Sequence, residues 1–133
     1  MTAVWTDAFE DLLPELLQQA YEHAGFDDHI EQIWLLGLDD GRLVRAGVAY
    51  RLAGKVLDAE QVVARVVDAG DPRELLDEQR RSWERLFARM EEGPDAVRQV
   101  RVTYDVAQAD ARTDFEYDAP GPDAVTAWYA ALS

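Results

Sequence analysis

Residues 29–52 read HIEQIWLLGLDDGRLVRAGVAYRL, and this stretch decides the fold class. Two apolar-rich runs flank Asp39-Asp40-Gly41. Asp-Gly between such runs signals a β-hairpin, because a tight primed turn needs positive φ. In the second run Val44, Ala46, Val48 and Tyr50 alternate with Arg45, Gly47, Ala49 and Arg51. That period of two predicts a strand with one face packed and the other carrying arginines. The first run, Ile30 to Leu38, is apolar on both faces near its centre, which predicts the more deeply placed strand.

A second hairpin follows the same logic. In RQVRVTYDV (98–106), Val100, Val102, Tyr104 and Val106 face one way, and Arg101, Thr103 and Asp105 the other. In ARTDFEYDA (111–119), Thr113, Phe115 and Tyr117 oppose Arg112, Asp114, Glu116 and Asp118. The short connection at 107–110 joins the two strands.

Around these strands the period changes to that of helices. Phe9, Leu12, Leu13, Leu16, Leu17, Ala20, Tyr21 and Ala24 share one helical face, with Thr6 as the expected N-cap and Gly25 as the stop. Pro14 is expected to kink or split this helix, because it has no N–H for the carbonyl of Glu10. Residues 71–94, DPRELLDEQRRSWERLFARMEEGP, predict a long helix capped by Asp71, with Pro72 at its first position and Gly93-Pro94 at its end. Its inner stripe is Leu75, Leu76, Gln79, Trp83, Leu86, Phe87 and Met90. Gly121-Pro122-Asp123 opens a terminal helix with Val125, Trp128, Tyr129 and Leu132 inward. The stretch 57–70, LDAEQVVARVVDAG, is ambiguous: Asp58 and Gln61 suit a capping box, while four valines also suit a strand. A short helix is the preferred reading. The expected architecture is one α+β domain over residues 1–133. Its antiparallel sheet of two hairpins is packed on one face by the N-terminal, long central and C-terminal helices.

Composition narrows the function classes. The chain has 133 residues, enough to bury roughly two-thirds of its unfolded surface without disulfides or metal. Its 48% hydrophobic content argues against disorder. A net charge of −14 argues against nucleic acid and anionic membranes as partners, since both demand a positive surface. With no cysteine there is no disulfide, thiolate metal site or cysteine nucleophile. The first residues, MTAVWTDAFEDLLPELL, match neither a signal peptide nor a membrane span, so the cytoplasm is the expected location. The charge is also segregated: residues 1–40, 41–101 and 102–133 carry −10, +1 and −5. If the two ends meet in the fold, they form a negative field that attracts a basic partner; otherwise the acidity serves solubility.

Catalytic motifs are sparse. His23 and His29 lack metal-binding spacing, although Asp27, Asp28 and His29 could converge on a divalent ion in a hydrolase. Only Ser82 and Ser133 offer serine hydroxyls, no GxSxG occurs, and the glycines form no phosphate loop. No enzyme activity, cofactor or metal is expected. Arg81, Arg85 and Arg89 form a helical stripe that either grips an acidic partner or pairs with Asp77, Glu78 and Glu84. Trp5 serves either as a staple for the first helix or as an exposed anchor. Asp105, Asp114, Glu116 and Asp118, with Thr103 and Arg112, form either a rigid docking platform for a charged partner or a solvated sheet face.

Three stretches resemble the YezG-like immunity proteins, antitoxins of bacterial polymorphic toxin systems. They are IEQIWLLGLDDGRLVRAGVAYRL (30–52), ELLDEQRRSWERLFARM (74–90), and VRVTYDVAQADARTDFEYD (100–118) followed by a helix with Trp128 and Tyr129. The last stretch carries the aromatic-acid-Tyr-Asp pattern as Phe115-Glu116-Tyr117-Asp118. The chain differs from the family in having Phe26-Asp27-Asp28-His29 where a Pro-x-x-Trp precedes the first strand, and in the segment 54–70. The resemblance implies a non-enzymatic protein that binds and occludes a cognate toxin domain, with a basic nuclease as the expected class. Acidic side chains would mimic phosphates and steer association, up to about 10⁸–10⁹ M⁻¹s⁻¹ at low salt. The expected contacts are Asp105, Asp114, Glu116 and Asp118, then Glu10, Asp11 and Glu15 of the first helix. The alternative is a regulatory or ligand-binding domain, which would hold a small molecule in a pocket lined by Trp34, Tyr50, Trp83 and Tyr104.

Overall fold

In the computed structural model the 29–52 stretch forms the expected hairpin, β1 (Ile30–Asp39) pairing antiparallel with β2 (Val44–Leu52). The structure describes residues 4–89 and 97–132. The turn is a four-residue loop rather than a two-residue one, because the aspartates cap it themselves. Asp39 accepts from the Gly41 N–H at 2.9 Å, and Asp40 accepts from Arg42 and Leu43 at 2.9 and 3.0 Å.

A third strand, β3 (Lys55–Asp58), was not anticipated. It folds back from β2 through Ala53-Gly54, both at positive φ (49° and 81°). This is the backbone of a primed turn, hidden in the sequence because Ala rather than Asn or Asp takes the first position. The ambiguous stretch thus divides: Leu57 and Asp58 are strand, and α2 (Ala59–Val63) is the expected short helix. Its capping box is complete. Asp58 accepts from Glu60 N and Gln61 N at 3.0 and 2.8 Å, and Gln61 Oε1 accepts from Asp58 N at 3.0 Å.

The second hairpin is β4 (Gln99–Asp105) and β5 (Asp110–Glu116). β4 pairs antiparallel with β1, so the sheet runs β3-β2-β1-β4-β5. The doubly apolar β1 is its centre, as its composition predicts.

Three longer helices complete the described fold: α1 (Val4–His23), α3 (Pro72–Phe87) and α4 (Ala124–Leu132). α1 is already helical at Val4, the first described residue, so Thr6 lies inside it and not at its cap. The helix also runs through Pro14, which is exposed, so the missing hydrogen bond falls on the solvent side. The side chain of Trp5, together with Met90 and Gly93-Pro94, lies outside the described residues.

The helices do not all share one face of the sheet. α1 and α3 pack against Ile33, Leu35, Val48, Tyr50, Val100 and Val102. α4 lies on the opposite face. Two glycines show this: Gly37 receives the Trp83 ring of α3, and Gly47 receives the Trp128 ring of α4. Gly37 pairs with Ala46, one residue from Gly47, so the rings approach from opposite sides. The cause lies in β1. Trp34, Leu36 and Leu38 point away from α1 and α3 and also need cover, and the uncharged α4 contributes to it.

Candidate functional site

Register decides which predicted contacts come together. Across β4 and β5 the pairs are Gln99–Glu116, Arg101–Asp114, Thr103–Arg112 and Asp105–Asp110. Alternation puts all eight side chains on the α4 face. Asp105, Asp114 and Glu116 therefore share a face, but Asp105 stands at one end of the hairpin with Asp110, which the sequence reading missed, and Glu116 at the other. Asp118 lies beyond the end of β5.

These carboxylates are not equally free. Glu116 forms an ion pair with Arg101. Asp105 accepts from the Gln108 N–H at 3.1 Å, which commits one oxygen to the hairpin turn. Asp114 and Asp118 are exposed. Four acids and two arginines, Arg101 and Arg112, make the surface acidic but mixed.

The α1 acids lie across the sheet. Glu15 pairs with Arg85 of α3 at 2.9 Å, and Asp11 lines a groove between the helices with Arg85 and Arg89. Glu10 is exposed. The two acidic segments, 1–40 and 102–133, meet where β1 pairs with β4, Gln32 opposite Asp105, and where the Phe9 and Phe115 rings touch edge-to-face at 5.7 Å. The arginine stripe is also paired differently from expectation. Asp77 and Glu84 pair with Arg80, while Arg85 reaches across to Glu15.

β5 is the last strand of the sheet, so among the described residues one of its edges pairs with no strand. Its charged residues suit that position, because charge on an edge strand resists unwanted strand addition.

Beside α4 runs a groove of about 540 Å³, lined among others by Trp34, Arg101, Thr103, Asp114, Ala127 and Trp128. No α4 residue is buried, although the helix reads AVTAWYAAL without a charge. Arg45 holds its entrance by donating to the carbonyls of Pro122 and Gly121, both at 3.1 Å. Arg51 lies over the Trp34 ring at 5.5 Å. The groove was not foreseen, because it exists only once α4 is placed on this face.

The expected aromatic pocket does not form as one cavity. Tyr50 and Trp83 are fully buried on the α1/α3 face, whereas Trp34 points the other way. The Tyr50 hydroxyl donates to the Ala20 carbonyl at 2.7 Å, and burial pushes its pKa far up. Asp27 and His29 do come together: the Asp27 carboxylate accepts from the His29 backbone N–H at 2.7 Å, which holds its carboxyl below the usual range, and lies 3.0 Å from His29 Nδ1. Asp28 does not complete a metal-holding trio with them. His23 is buried, with Nε2 2.8 Å from the Ala59 carbonyl. Among the described residues no group of three His, Cys, Asp or Glu could hold a metal ion, and no helix is long and apolar enough to cross a membrane.

Comparison with known proteins adds no assignment: no family model and no curated protein matches the chain. The resemblance to the immunity family rests on the quoted stretches alone.

Proposed function

We propose that this chain acts by binding rather than catalysis, as an immunity protein that occludes a basic toxin domain. The observation that carries this reading is the row Asp110, Asp114 and Glu116 on one face of the edge strand, with Arg112 between the exposed Asp110 and Asp114, in a protein of charge −14. A sheet holds carboxylates at fixed spacing, so little side-chain ordering is needed on binding. A nuclease is the partner class whose cationic groove best matches such a surface, with carboxylates in the place of phosphates. Occlusion then needs no chemistry from this chain.

The test is affinity capture from the source cell's lysate at low salt, followed by elution in a rising salt gradient and mass spectrometry. One basic domain released as salt rises, whose toxicity co-expression of this chain suppresses, is the expected result. A folded bait that retains no basic protein overturns the reading.

A further inference from the structure

We infer that the groove between α4 and the β4–β5 hairpin is a binding site for a small zwitterion with an apolar side chain, a free aromatic or branched α-amino acid. The inference goes beyond the occlusion of a protein partner and does not depend on it.

The strand side supplies the first argument. Arg101 and Asp114 stand directly opposite each other on β4 and β5, and both line the groove. Opposite charges so placed, with Cβ atoms about 5 Å apart, are within reach of each other and ordinarily pair. Here they do not. Arg101 donates through Nη2 to Glu116 instead, and its Nη1 has no partner among the described residues. The Asp114 carboxylate is exposed and has no ion pair or hydrogen bond among the described residues. No other charged side chain lines the groove among those residues. It therefore offers one positive and one negative group side by side. A ligand carrying a single charge of either sign meets its like as well as its opposite. A ligand with an ammonium and a carboxylate on neighbouring atoms satisfies both.

The helix side supplies the second argument. The α4 wall is uncharged and apolar, formed by Ala124, Ala127, Trp128, Ala131 and Leu132. None of these is buried, so the wall stays open to a ligand. The groove holds about 540 Å³. Sites for small molecules run from roughly 300 to 1,000 Å³ and combine a mostly apolar lining with a few placed polar groups. With its ammonium on Asp114 and its carboxylate on Arg101 Nη1, an amino acid lays its side chain along Trp128 and Ala131. Thr103, between the two strands' charges and β1, offers a hydroxyl that can serve either head group. An uncharged apolar molecule covers the same wall but leaves both charges half-desolvated and unanswered.

The probes are L-phenylalanine and L-leucine, each titrated to about 10 mM into the full ¹⁵N-labelled chain and followed by NMR. The expected result is saturable one-to-one binding that shifts the indole N–H signals of Trp34 and Trp128 and leaves that of Trp83 in place. No saturable shift with either amino acid overturns the proposal. Two relatives of phenylalanine each remove one charge: N-acetylphenylalanine has no ammonium, and phenylalanine amide has no carboxylate. Binding about tenfold weaker for both supports the zwitterion site. Equal binding of either one overturns it, and tighter binding of the amide would show no more than attraction of a cation to a chain of charge −14. Asp114→Asn should weaken phenylalanine about tenfold and leave the residual binding of N-acetylphenylalanine unchanged. Ala131→Leu fills the groove without altering any charge and should abolish binding. Both positions are exposed, so the fold is expected to persist, and an unmoved Trp83 signal checks it. Phenylalanine bound equally well by the Ala131→Leu protein sits elsewhere, which overturns the proposal.

Discussion

Gly37 and Gly47 lie one residue out of step on neighbouring strands, each with a tryptophan ring where a Cβ would stand. A methyl group at Gly37 overlaps the Trp83 indole, which is wholly buried between the sheet and α3. Gly37→Ala is expected to cost about 2–3 kcal/mol, the upper end for overpacking, read by urea unfolding. At Gly47 the Cβ would come 2.7 Å from Trp128, whose helix has no buried residue and can yield. Gly47→Ala should therefore cost less than about 1 kcal/mol, while red-shifting tryptophan emission. Equal losses for the two would show that α4 is held as firmly as α3. Tyr50 sets an alkaline limit. Its pKa is raised in the folded state by burial, so the unfolded chain loses this proton near 10 while the native chain keeps it. Its contribution is complete below pH 10 and fades above it, by about 1.4 kcal/mol per pH unit. Tyr50→Phe should lose about 1 kcal/mol at neutral pH with the Ala20 hydrogen bond, yet fall less steeply between pH 10 and 11. A parallel decline in both proteins would show that Tyr50 titrates freely.

Among the elements, α2 and α4 depend on one carboxamide. Gln61 Oε1 accepts from the Asp58 backbone N–H and from the Tyr129 hydroxyl. Asp58→Ala removes the other half of the capping box and should destabilise the protein by about 1 kcal/mol. Tyr129→Phe acts more locally. Amide exchange along α4 should accelerate while that of β1 and α3 stays at its global rate, because α4 adds no buried residue to the core. If β1 accelerates equally, α4 is part of the global folding unit. Helix α3 is anchored differently: Gln79 Nε2 donates to the Leu16 carbonyl and to Gln19 Oε1, both at 2.9 Å, tying α3 to α1.

At the scale of the whole molecule, charge is divided between two surfaces. The α1 acids are partly answered by Arg85 and Arg89, whereas Asp114 and Asp118 face solvent. Reversing an exposed, unanswered charge alters steering more than reversing one already paired. With a basic partner in hand, Asp114→Lys with Asp118→Lys should slow association about tenfold at low salt. Glu15→Lys should slow it by less, and the difference should close as salt rises, in stopped-flow measurements. Association indifferent to salt in the unmodified protein would remove the phosphate-mimic mechanism.

Local chemistry was legible where a signal is complete within a few residues. The alternation of 44–52, the doubly apolar run of β1, the Asp58–Gln61 box and the Pro72 helix start are each explained by neighbours in sequence. The shared face of Asp105, Asp114 and Glu116 was legible too, because a strand's period of two needs only the right register. What tertiary structure decided was pairing between distant segments. β3 depended on an Ala-Gly turn whose geometry the residue types do not announce. The pairing of Glu15 with Arg85 depended on α1 meeting α3. The second face of β1 had to be covered by something, and nothing within 124–132 says which face of the sheet that helix will take. The groove beside α4 is a property of that choice and of no residue alone.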